Sequence, residues 1–135
     1  MLGIDTNILL RIILPAASSK EDVAQMARVV DMISDSSQTF FINHVVLVET
    51  IWVLRQSFKH SKESIASFVQ LLLGMSNVAV QNAEMVEADL ADFTQYPGDF
   101  SDHLIGQINN QNGCRTTFTF DKAAARSPNF SELQR

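Results

Sequence analysis

The sequence predicts an α/β domain built on a central, mainly parallel sheet of four to five strands. Three observations lead there. Short β-rich runs alternate with helical stretches along the whole chain, the first run, Leu2 to Ile4, passes straight into Asp5, Thr6 and Asn7, and an aspartate again stands just past a later strand at Asp121. Strands alternating with helices predict a parallel sheet covered on both faces, and the right-handed crossover rule puts every strand's carboxyl end on one side. In open sheets of this kind ligands bind outside those carboxyl ends. Asp5 and Asp121 are therefore expected at one functional edge.

The 135 residues fit a single domain, 1–135, with no internal repeat, low-complexity tract or linker long enough to divide it. A hydrophobic fraction of 46% with 19% charged residues is that of a globular chain, neither disordered nor membrane-spanning. The lone Cys114 closes no internal disulfide and is too little for a zinc site. A reducing, cytoplasmic setting is expected. Ile8 to Ala17 has the look of a secretory core, but Asp5 precedes it, Arg11 interrupts it and no basic segment leads it. The formal charge of −5 gives no general attraction to polyphosphates, so nucleic-acid binding needs local basic residues or a bound metal.

Taken in order, Thr6 to about Leu14 reads as a helix apolar almost all round and stopped by Pro15. Ser18 and Glu21 have capping-box spacing, and Val23, Met26, Ala27, Val30 and Ile33 then recur at helical period. Thr39 to Ile42 is a second strand, with Asn43 able to cap the next helix. Val45 to about Lys59 is rich in β-branched residues, yet its length favours a buried helix. Ser61 opens a helix whose Ile65, Phe68, Val69, Leu72 and Leu73 form a stripe, and Gly74 suits its C′ position. Val78 to Gln81 is a third strand; Asn82 caps a helix with Val86, Leu90 and Phe93 on one side; Pro97-Gly98 ends that unit. Asp99 caps a helix from Phe100 to about Asn110, closed by Gly113. Arg115 to Phe120 is a strand, followed by a short helical turn and a tail that can add a last strand.

Four acidic positions carry the chemistry. Asp5 and Asp121 end strands, and each also reads as a plain cap or turn residue. Glu49 sits in the most apolar helix, with Val45, Trp52 and Val53 beside it, where a buried carboxylate is costly unless it is paired or binds a cation. A solvated helix edge or a salt bridge to Arg55 is the plainer alternative. Asp99 and Asp102 suit the first turn of a helix by capping, and their spacing also puts both carboxylates on one face. Clustered carboxylates without matching lysines repel one another, and a divalent cation is the usual remedy. Oxygen ligands select magnesium or manganese, which can turn a water into a nucleophile and stabilise charge on a phosphoryl oxygen.

With these residues in view, the chain resembles the PIN-domain ribonucleases, and in particular the toxin half of VapBC toxin–antitoxin pairs. The likeness covers essentially the full length: DTNILLR at the start, NHVVLVETIWVLR in the third helix, DFSDHLI after the Pro-Gly turn and TFTFDKAAAR near the end. It implies a three-layer α/β/α fold and a Mg2+- or Mn2+-dependent endoribonuclease whose acidic quartet is Asp5, Glu49, Asp102 and Asp121. Asp99 resembles a further acidic position that helps hold metal or water. Asn7 matches a position that orients the first aspartate, and Thr6 lies beside the site. The resemblance also implies a homodimer, an RNA substrate, a cognate antitoxin protein and no membrane. Two positions depart from it: His103 stands where the family commonly has a small residue, and Ala123 where another acidic residue is often found.

The expected reaction is hydrolysis of RNA phosphodiesters by a metal-activated water, leaving a 3′-hydroxyl and a 5′-phosphate. Other readings compete. A phosphoaspartate enzyme of the haloacid-dehalogenase type needs a second aspartate two residues after the first, where Asn7 stands. A non-catalytic PIN-like interaction module would use the carboxylates only to shape a surface for an antitoxin-like partner. His44, His60 and His103 lack metal-ligand spacing and read as surface or capping residues. Trp52 and the nine phenylalanines read as core. Arg11, Arg115, Lys122 and Arg126 are sparse and mostly solvated, though those near strand ends can meet RNA phosphates.

Overall fold

The computed structural model describes residues 1–14, 20–35 and 37–134, with Glu21 and Asp22 described by their backbone alone. The elements run β1 (Leu2–Gly3), α1 (Thr6–Ile13), α2 (Lys20–Ile33), β2 (Phe40–Ile42), α3 (His44–Gln56), α4 (Lys62–Gly74), β3 (Val78–Val80), α5 (Ala83–Gln95), α6 (Phe100–Gln111), β4 (Thr117–Thr119), a 3-10 turn (Ala124–Arg126) and β5 (Phe130–Glu132). The architecture is α/β with parallel strands. α1 ends at Ile13 with Leu14 as its C-cap; Pro15 and Ser18 lie outside the described residues, as does the side chain of Glu21, and with them the expected stop at Pro15 and the capping box of α2.

Local chemistry explains most helix starts. Asp5, Asn43, Ser61 and Asn82 each turn a side-chain oxygen onto a backbone N–H three residues on, supplying an acceptor for one of the donors that a helix leaves unpaired at its first turn. Asn82 does so at a φ of 45°, a left-handed conformation that asparagine tolerates. Gly113, at φ 88°, follows α6 as expected. Lys62 Nζ caps the far end of α5, donating to the carbonyls of Phe93 and Tyr96 at 3.0 and 3.1 Å while lying 4.6 Å from the centre of the Phe93 ring.

The expected single sheet is corrected by the structure. β1, β2 and β3 form one three-stranded parallel sheet in that order, whereas β4 and β5 pair with each other in a separate parallel sheet. β1 is only two residues long and offers little backbone for a second neighbour, while β5 follows β4 closely and matches it over three residue pairs. The core lies between the first sheet and its helices: Phe40 and Ile42 share the buried face of β2 and pack in one cluster with Leu9, Leu47, Ile65 and Val86. Each of these side chains contributes about 1.5–3 kcal/mol by leaving water.

The β4–β5 pair is fastened to α6 by side-chain amides. Asn109 donates to Thr117 Oγ1 and Asn110 to Asn129 Oδ1, both at 2.9 Å. Gly106 permits this approach, since a Cβ there would stand 2.7 Å from Phe130 Cε2 and 3.0 Å from Asn129 Cβ. Gly106→Ala gains about 1 kcal/mol of helix propensity but forces Phe130 from its seat at roughly 1–3 kcal/mol. A net loss of up to about 2 kcal/mol is expected in urea unfolding; a raised midpoint would show that Phe130 repacks freely.

Two stripes differ from expectation. In α2, Val29 is buried and Met26, Met32 and Ile33 are half-buried, while Val23, Ala27 and Val30 face solvent. In α3, Trp52 is 62% exposed rather than part of the core, and Phe58, Phe118 and Phe120 are likewise exposed.

Candidate functional site

Because β1, β2 and β3 run in parallel, Asp5, Asn43 and Asn82 follow their strands at one edge. His44 ties that edge together: its backbone N–H donates to Gln81 Oε1 at 3.0 Å and its Nε2 lies 2.7 Å from the Gln81 carbonyl. His44 thus serves a cross-strand link. Asp5 spends Oδ1 as acceptor for the Ile8 N–H at 3.0 Å. The cap is real, and it fixes the carboxylate by one oxygen only.

Glu49 is brought to this edge by a bond between residues 43 apart in sequence. Thr6 Oγ1 donates to Glu49 Oε2 at 3.3 Å, joining the start of α1 to the second turn of α3. The premise that Glu49 is buried among apolar neighbours is overturned: it is exposed, as are Val45 and Trp52 on its own helix. Glu49 thus lies on the solvated helix edge of the plainer alternative, while Arg55 Nη1 on the same helix donates to the His60 carbonyl at 2.9 Å. Asn7 lies with Asp5 on the wall of a cleft of about 590 Å³ between α1 and α2.

A second group forms at the start of α6. Asp102 Oδ2 accepts the Asp99 N–H at 3.1 Å, the return half of a capping box. Gly98, at φ 114°, lets the chain pass close by: a Cβ there would lie 3.3 Å from His103 Nε2, 3.7 Å from Asp102 Oδ2 and 3.8 Å from Ala124 Cα. Ala124 belongs to the turn that Asp121 starts, where Asp121 Oδ1 accepts the Ala123 N–H at 2.8 Å and its carbonyl accepts the Ala125 N–H at 3.0 Å. Asp102 and the Asp121 turn are therefore neighbours through Gly98. Asp99 lines a small cavity with Val48, Trp52 and Arg55, which sets the start of α6 against the helix that carries Glu49.

The sequence-derived residues thus fall into two groups, Asp5 with Thr6, Asn7 and Glu49, and Asp99 with Asp102 and the Asp121 turn. Among the described residues no three carboxylate, imidazole or thiol groups stand close enough to hold one ion. The donor chemistry fits magnesium or manganese: oxygen ligands at the surface or half-buried, each aspartate of the quartet anchored through one oxygen. A separate cleft of about 480 Å³ between α4 and α5 carries Glu87 as the one titratable group among its described residues and offers no comparable chemistry.

His103 is a correction to its reading as a surface or capping residue, for it is 0% exposed. Its Nε2 lies 3.1 Å from the Pro97 carbonyl, and its buried Nδ1 has no partner among the described residues. Burial pulls its pKa below the usual histidine value, against the opposing pull of Asp92 and the bond to Pro97. A neutral imidazole thus wedges the Gly98 turn from inside. Asp89 was not legible at all: it is 0% exposed, neither oxygen has a partner among the described residues, and burial, followed by the charge of Asp92, pushes its pKa up to about 9. Asp92 beside it accepts from Gln107 Nε2 at 2.7 Å.

No family model matches the sequence, and no curated protein matches it significantly. No helix among the described residues is long and apolar enough to cross a membrane.

Proposed function

We propose that the chain is a metal-dependent endoribonuclease of the PIN type, acting as the toxin of a toxin–antitoxin pair. The observation that carries this reading is the Thr6–Glu49 bond, which brings the Glu49 carboxylate to the residue that follows Asp5 at the carboxyl edge of the sheet. Asp5, Glu49, Asp102 and Asp121, with Asp99 in support, would hold magnesium or manganese. A bound ion supplies Lewis acidity toward a phosphodiester oxygen and acidity to a water molecule.

The chain's own contribution is positioning. The caps at Asp5, Asp102 and Asp121 each restrain a carboxylate, so little side-chain entropy remains to be lost on ligation. Thr6 orients Glu49, and Asn7 stands beside Asp5 at the cleft. Hydrolysis by water gives a 3′-hydroxyl and a 5′-phosphate. An antitoxin-like protein that covers the acidic groove, a homodimer and a cytoplasmic location belong to the same proposal.

Incubation of single-stranded RNA with the protein tests it. Cleavage is expected with magnesium or manganese and not with EDTA, yielding 5′-phosphate ends. Asp5→Asn and Asp121→Asn are each expected to lower the rate roughly 10²–10³-fold with the fold intact. Full activity in either variant removes the proposal. The division of the carboxylates into two groups favours a second reading, a non-catalytic module that binds an antitoxin-like partner. Calorimetric titration with manganese separates the two: the module shows no carboxylate-dependent binding.

A further inference from the structure

α6 packs chiefly on α5, and the β4–β5 pair is fastened to α6 through Asn109 and Asn110. The joint between this part and α5 is polar. Asp92 on α5 accepts from Gln107 of α6 at 2.7 Å and from Asn129, just before β5, at 3.4 Å, and Asn82 donates to Gln111 at 3.2 Å. Asp89 lies one turn before Asp92 on the same face, fully buried, with no partner for either oxygen among the described residues. Ser127 Oγ, in the stretch leading to β5, is likewise buried without a described partner. Met85, Leu104, Ala124 and Phe130 are buried yet lie outside the main apolar cluster, so most of the joint does not share that core. Phe100, at the start of α6, does belong to it, edge-on to Phe93 with ring centres 5.7 Å apart, and pins this end.

We propose that residues 104–132 form a unit that opens away from α5 by local unfolding as the pH rises, with Asp89 as its latch and Phe100 as its pivot. A buried carboxyl without a partner is tolerable while protonated and costly once ionised. Opening the joint alone hydrates Asp89 and spares the larger core, so ionisation is relieved there first. The closed joint keeps the proton up to about pH 9, whereas an exposed carboxyl releases it near 3.8, so opening frees one proton in between and becomes about tenfold more favourable per pH unit. The charge acting on Asp89 is that of Asp92 on its own helix, which opposes ionisation. Across the joint, α6 brings the imidazole of His103 and the neutral Gln107, and the stretch before β5 brings the neutral Ser127 and Asn129. Above about pH 7 that imidazole is uncharged with the joint closed or open. The unit carries Asp121, so opening takes this carboxylate away from Asp102. The inference goes beyond the nuclease reading and stands without it.

Amide hydrogen exchange of the full chain, followed by mass spectrometry between about pH 7 and about pH 8.5 without metal or RNA, tests it. An opened helix with a two-stranded sheet holds little structure alone, so opening exposes its amides to exchange. After correction for intrinsic chemistry, residues 104–132 are expected to be at least about tenfold less protected than α3 and α4, with protection falling about tenfold per pH unit. In Asp89→Asn the protection of the same residues should rise at the upper pH and lose its pH dependence. Equal protection of residues 104–132 and of α3 and α4 overturns the unit, since opening is then unfolding of the whole chain. Protection independent of pH in the wild type, or an unchanged slope in Asp89→Asn, overturns the latch. If Asp89→Asn does not fold, the wild-type profile decides by itself. These outcomes leave the nuclease reading to its own cleavage test.

Discussion

At pH 8 the Asp89→Asn protein is expected to be more stable than the wild type by about 5 kcal/mol, with the difference vanishing toward pH 4. Asp89 has no exposed surface and no hydrogen-bond partner among the described residues, and its pKa rises from 3.8 to about 9. Between those values the folded chain keeps a proton that the unfolded chain has released. Stability then falls as pH rises, by roughly 1.4 kcal/mol per unit for one group. His103 acts in the opposite sense. Its folded pKa lies below 6.5, so under acid the unfolded chain binds the extra proton and stability falls as pH drops below about 6.5.

Below pH 6.5 the His103 slope opposes that of Asp89, which acts alone above it. Wild-type stability should therefore decline more steeply with pH above 6.5, toward pH 9, than below it. Asp89→Asn removes the proton from the comparison, so its profile should rise to pH 6.5 and stay level. Urea unfolding across pH 5–9 reads this directly. A wild type as stable at pH 9 as at pH 6.5 would mean that Asp89 is hydrated and ionised in the folded protein.

The second large effect is expected at Asp102, where folding and chemistry use the same carboxylate. Its Oδ2 accepts the Asp99 N–H at the start of α6, and its neighbours across Gly98 are His103 and the turn that follows Asp121. Asparagine keeps an acceptor for the cap and loses the charge. Asp102→Asn should therefore cost no more than about 1 kcal/mol in stability. Its single-turnover cleavage should fall roughly 10²–10³-fold. Asp102→Ala, without an acceptor, should lose the same activity and unfold at lower urea than Asp102→Asn. Near-wild-type cleavage by Asp102→Asn would reduce Asp102 to a helix cap.

Local chemistry was legible in the sequence. The caps at Asp5, Asn43, Ser61 and Asn82 hold because each depends on a side chain and a backbone N–H three residues away. The β-branched run in α3 forms a helix despite its propensity, because burial of Val46, Leu47, Ile51 and Leu54 outweighs the χ1 restriction. The stripe of α2 was misplaced by a fraction of a turn: the face that packs includes Val29 and Met32, and with it Arg28 comes to the Asp5 cleft. Only the packing of α1 against α2 fixes that rotation.

Sequence by itself determined the order of the elements, the places where helices begin, and the presence of aspartates just past β1 and β4, because these depend on neighbours within a few residues. Tertiary structure alone decided that five strands divide into sheets of three and two, that Glu49 meets Thr6 at the surface, and that Asp89 and His103 are sealed from water. Those outcomes depend on which segments exclude solvent together, and exclusion of solvent is a property of the folded assembly of elements that no single segment carries.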